Sequence, residues 1–241
     1  MMQLEALVET LKKSNKKITD FYTPDGLHIY FKDNLTRDDV NIEKVISKVE
    51  SVVPRHLRTE IEMVIVGDFK EFEENHFNAM YKDGMVYVTN DQQDNYDMIE
   101  DIVHEIAHST EEPYGYHIYA DGKVKEEFLR KRFILHDILW QNGYKAPRAF
   151  FSNVEYDEEF DDFLLKNVGY DKLQNYAAGI FLTSYAPTSL REYYATAFVE
   201  FFLHPEGHNY LKKISPQLYK KLFELYTEEG LDIWYSTSYN I

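Results

Sequence analysis

The chain has 241 residues, 44% of them apolar, which is enough for a substantial core; it has no cysteine, which excludes disulfides, thiolate metal sites and a cysteine nucleophile. A net charge of −16 repels phosphate backbones, so nucleic acid is excluded as an expected partner. No apolar run is long enough for a signal-peptide core or a bilayer span, so no membrane partner is expected, and the location is expected to be cytoplasmic or reached by a non-standard export route.

In chain order, residues 3–15 read as a short amphipathic helix ending in the basic run Lys12-Lys13 and Lys16-Lys17, which suits a helix C-terminus. Thr23-Pro24-Asp25-Gly26 is a turn signal before a strand from Leu27 to Phe31. Asp39 is placed to cap a helix whose apolar face carries Ile42, Val45, Ile46, Val49, Val52 and Val53 until Pro54 stops it. Ile61 to Val66 is a β-branched run expected to form a buried strand. Ala79 to Thr89 contains two alternating runs around Asp83-Gly84, the strongest short hairpin signal. Its second strand is expected beside the following helix, with an edge that could accept an extended peptide.

That helix holds the segment with the most chemistry. Ile99, Ile102, Val103 and Ile106 mark a buried stripe, and His104-Glu105-Ile106-Ala107-His108 places two imidazoles one turn apart, roughly opposite it. Two neutral imidazoles so spaced suit one Zn²⁺, and Glu105 is placed to take a proton from a water on the metal. Ser109 to Tyr116, with Pro113 and Gly115 inside it, is expected to break the helix. Helices follow at Lys123 to Gln141 (closed by Asn142-Gly143), 155–168 and 170–182, then from Ser189 through Leu203, with a last one opened by an N-cap at Ser215 and Pro216. The acidic cluster Asp157-Glu158-Glu159 with Asp161-Asp162 reads as a solvated face, and the 20 Tyr and 16 Phe read as core.

Zinc needs a third ligand. Glu111 stands where the H-E-x-x-H-x-x-G-x-x-H pattern needs glycine and Tyr114 where it needs histidine, so that pattern is excluded. The best candidate is Glu192, although Ser189 and Glu192 also form an S-x-x-E capping box that alone explains a glutamate there; Glu200 is the rival. His204-Pro205-Glu206-Gly207-His208 repeats the five-residue spacing but is interrupted by Pro and Gly, and is read as loop. His136, beside Leu129, Phe133 and Trp140, is read as packed.

Two stretches carry a family likeness. Val103 to His108 with Glu111-Glu112 and Tyr114-Gly115-Tyr116, and Leu182-Thr183-Ser184-Tyr185 with Thr188, Glu192, Ala195 to Phe198 and His204, resemble the C-terminal catalytic domain of anthrax lethal factor and its relatives, which include the Pro-Pro endopeptidases. The matching motifs cover about residues 80–116 and 180–208. The resemblance implies a zinc endopeptidase with His104, His108 and Glu192 as ligands, Glu105 as general base and Tyr185 as oxyanion stabiliser, acting on a peptide or protein. Thr196 stands where the family usually has an acidic side chain, and the span from His108 to Glu192 is longer than in the toxin, implying an insertion around 117–155. The alternative is a weak or inactive peptide-binding module on the same scaffold. The expected fold is α+β: a single zincin-like domain over 1–241, with a small mixed β-sheet and the metal helix in a mixed half (1–112) and a mainly helical half (113–241).

Overall fold

In the computed structural model, residues 20–75 and 77–227 are described, and the helix expected over 3–15 lies outside them. The turn at Thr23, closed by the Gly26 N–H donating to the Thr23 carbonyl at 3.0 Å, joins strands β1 (Asp20–Tyr22) and β2 (His28–Phe31) into an antiparallel pair. Helix α1 (Ile42–Val52) then crosses to β3 (Met63–Gly67), which lies parallel to β2, the pairing that a strand, helix and strand in succession produces. Asn41, rather than Asp39, caps α1 by accepting from the Lys44 N–H at 3.0 Å. Asp39 instead takes a two-pronged ion pair from Arg37, at 2.9 and 2.7 Å, which removes its carboxylate from the helix end.

The Asp83-Gly84 hairpin forms as expected. Both residues are left-handed (φ 51° and 79°), the requirement of a two-residue turn whose twist suits its strands, and it joins β4 (Ala79–Lys82) to β5 (Met85–Thr89). β5 pairs with β3 in parallel, giving the order β1-β2-β3-β5-β4. β5 is therefore interior, and the edge next to it belongs to β4. Ile29, Val64, Val66, Val86 and Val88 are fully buried along with Val45 and Val49 of α1. Each such side chain contributes about 1.5–3 kcal/mol relative to exposure, so this face drives the assembly of the sheet. A Cβ on Gly67 would sit 2.9 Å from Cβ of Lys32, so the strand end tolerates no side chain there.

A short helix α2 (Lys70–Asn75) follows β3, and after the hairpin helix α3 runs Asn95–Tyr119, through Pro113 and Gly115, which corrects the expected break after His108. An interior proline costs about 3 kcal/mol, and the turns after it are held from outside. Ile118 is fully buried and Lys221 of a later helix donates to the His117 carbonyl at 2.8 Å, while within the helix itself the Tyr119 hydroxyl reaches back past the proline to Glu111 at 2.6 Å. Tertiary anchoring therefore outweighs local propensity.

The chain divides into two compact units, 1–110 and 111–241. The second is helical. α4 (Lys123–Gln141) has the bounds read from sequence, and Gly143 at φ 93° turns the chain out of it. The expected 155–168 helix is shorter and changes type: α5 (Glu158–Asp162), capped by Asp157, passes into a π-helical turn Phe163–Val168. Gly169 (φ 85°) then redirects the chain into α6 (Tyr170–Ala177), which stops five residues before the expected end. α7 (Leu190–Leu203), α8 (His208–Ile214) and α9 (Pro216–Tyr226) complete it. Among the described residues no helix is long and apolar enough to cross a membrane.

Buried polar groups tie this unit together. Arg132 is fully buried with its guanidinium 3.9 Å from the Phe160 ring centre, donating to the carbonyls of Phe150, at 2.8 Å, and Asn153. Ser215 occupies the position before α9, yet its hydroxyl accepts from Lys131 at 2.7 Å and the first N–H groups of the helix go to Glu127 instead. The N-cap expected from Ser215 is thus supplied by a carboxylate ninety residues away in sequence, which binds the oriented N–H groups more strongly than a hydroxyl.

Candidate metal centre

α3 presents its apolar stripe to the core: Ile99, Ile102, Val103 and Ile106 are 0–7% exposed. That burial fixes the rotation of the helix and brings His104 and His108 together on its other side, half-buried, with ring centres 5.0 Å apart. Glu105 is 8% exposed, and its Oε2 accepts the backbone N–H of Tyr81, on edge strand β4, at 2.6 Å. Its position is therefore set by the sheet as well as by its own helix.

Glu192 stands in the first turn of α7. Ser189 accepts its N–H at 3.1 Å, so the Ser189 half of the expected capping box forms and sets where the helix begins. His104, His108 and Glu192 each offer one ligand atom, and these atoms lie within 4.8 Å of one another. Two imidazoles and a carboxylate are a donor set that zinc takes, with bonds of about 2.0–2.2 Å. The rival Glu200 is paired with Nδ1 of His204 at 3.0 Å. His208, read as loop, begins α8 and has Nε2 2.7 Å from the Phe201 carbonyl, its ring stacked on Phe201. His136 packs against Phe151 and Trp140 as read.

Tyr185 lies in the segment before α7, where its carbonyl accepts from the N–H and the hydroxyl of Thr188 at 2.9 and 2.8 Å. Burial, and then the negative charge of Glu192, push its phenol well above the usual range, so it is a proton-bearing donor at any physiological pH.

Two features escaped the sequence reading. Asp101 stands three and four residues before His104 and Glu105, so the spacing was legible; burial pushes its carboxyl up to about 6, against a hydrogen bond from Gln92 at 2.9 Å. Glu111 receives Arg191 at 2.7 Å as well as the Tyr119 hydroxyl, a link between residues eighty apart that leaves no local signal. Thr196 is half-buried on α7, and the 117–155 stretch is the end of α3, all of α4 and a short 3₁₀ turn at Arg148–Ser152. A scan against protein-family models finds no matching family, and searches among curated proteins and among solved structures find no match.

Proposed function

We propose that the chain is a zinc-dependent endopeptidase with His104, His108 and Glu192 as metal ligands, Glu105 as general base and Tyr185 as oxyanion donor. The observation that carries this reading is the approach of a glutamate from α7 to within 4.8 Å of the paired histidines of an H-E-x-x-H helix. The donor set leaves room for a water, and zinc bound there would lower that water's pKa to about 7 and act as a Lewis acid.

The residues divide the remaining work. Glu105, oriented by the Tyr81 N–H on its Oε2, would accept a proton from the attacking water and deliver it to the leaving amine. Tyr185 keeps its proton and donates a hydrogen bond to the oxyanion as charge develops on the scissile carbonyl. The edge of β4 supplies backbone groups suited to an extended peptide, the substrate class this reading requires.

The test is metal content together with a positional-scanning peptide library. About one zinc per chain and chelator-sensitive cleavage are expected. Tight peptide binding with no cleavage anywhere in the library would replace the enzyme by the peptide-binding alternative.

A further inference from the structure

We infer that Asp161 and Tyr170 are positioning residues for Tyr185, an inference that rests on the oxyanion role proposed above. The reason such support is needed is local. Tyr185 sits in an irregular segment, 178–189, where neither a helix nor a sheet ladder fixes the direction of its side chain. Thr188 holds its backbone and also hydrogen-bonds its phenol, and the ring is further held by what packs on its face.

The Tyr170 ring meets the Tyr185 ring edge-on, centroids 6.0 Å apart at 66°, the arrangement preferred by aromatic quadrupoles. Tyr170 is itself fixed at its far end, where its hydroxyl donates to Oδ1 of Asp161. The other oxygen, Oδ2, accepts the Tyr156 hydroxyl at 3.0 Å. One carboxylate thus gathers two phenols, and one of those phenols walls the third.

The chain makes this meeting by unusual means. Asp161 lies in the last turn of α5, the wide π turn Phe163–Val168 follows, and Gly169 at φ 85° reverses the path so that Tyr170 returns to Asp161 nine residues later. Single π turns interrupting helices are frequent at functional sites. The acidic run read from sequence as a solvated face therefore contains one member with an inward task, while Lys166 pairs with its neighbour Asp162 at 2.7 Å on the surface.

Coupling between variants tests this. Tyr170→Phe and Asp161→Asn are each expected to lower kcat about 5- to 10-fold with KM changed less than 2-fold. In a Tyr185→Phe background neither is expected to lower kcat further, because both act through the missing hydroxyl. A purely structural role would lower kcat by the same factor in both backgrounds, and that result overturns the inference. A second readout is independent of turnover: with 3-fluorotyrosine placed at 185, the wild type is expected to give one narrow ¹⁹F resonance and Asp161→Asn a broadened or split one. If no peptide is cleaved but the resonance responds as stated, the endopeptidase reading falls and the positioning contact stands. If the resonance is unchanged in both variants, the inference falls whatever the activity.

Discussion

The backbone N–H of Tyr81 donates to Oε2 of Glu105 at 2.6 Å, joining the edge strand of the sheet to the middle of the H-E-x-x-H helix. A backbone donor neither titrates nor swings away, so it fixes the orientation of the proposed base. Glu105→Gln keeps an oxygen for Tyr81 and removes only basicity. The expected outcome is at least a 1,000-fold loss of peptide cleavage, with zinc content unchanged and a thermal midpoint within about 2 °C of wild type, read by metal analysis and calorimetry beside the assay. A Gln variant that still cleaves would refute Glu105 as the base.

Removal of the metal should show in stability as well as in turnover. A ligand that binds only the folded chain stabilises it by about 2.7 kcal/mol at a hundred times its dissociation constant. Chelator is therefore expected to lower the midpoint of wild type by several degrees. Glu192→Ala should bind zinc at least 100-fold more weakly and lose that response. If Glu192→Ala takes up zinc as tightly as wild type, the ligand assignment is wrong.

Lys131 predicts a specific pH dependence. Burial pulls its ammonium from 10.5 down to about 8 while it donates to Ser215 and to the Ile180 carbonyl. Between those values the unfolded chain holds a proton that the folded chain has released, so stability from this group rises with pH, by at most about 1.4 kcal/mol per unit. Urea unfolding at pH 7.5 and 9.5 should show wild type gaining stability relative to Lys131→Met over that interval. A constant difference between the two proteins would contradict it.

Glu127 accepts from the N–H of Gln217 at 2.9 Å, the N–H of Leu218 at 3.3 Å and the Tyr193 hydroxyl at 2.9 Å, and is 3% exposed. Glu127→Ala leaves these buried donors unsatisfied and Lys131 without its nearby countercharge. A loss of about 3–5 kcal/mol in denaturant unfolding is expected, with Glu127→Gln losing less because it retains an acceptor.

Pro113 lies inside α3 and lacks the N–H that would otherwise close a helical hydrogen bond. Since the turns beyond it are already held by Ile118, His117 and Tyr119, Pro113→Ala is expected to raise stability by about 1–3 kcal/mol, measured by chemical unfolding. A decrease would mean that the helix needs the proline's geometry.

What was readable from the sequence shares one property: it is written in short-range periodicity. The stripe Ile99, Ile102, Val103 and Ile106 sets the helix face, the two histidines follow from it, and Asp83-Gly84 dictates a turn because few residues accept positive φ at two successive positions. The α+β class and the order of strands and helices follow from the same signals. Local propensity misjudged Pro113, Asp39 and Ser215, each because a partner distant in sequence, or an ion pair, supplied more free energy than the local preference. Whether Glu105 was gripped by Tyr81, whether Glu111 met Arg191, and whether Asp161 faced water or two phenols depended on contacts between segments whose spacing in sequence carries no periodic trace. Those were decided only when burial of the apolar faces brought the segments together.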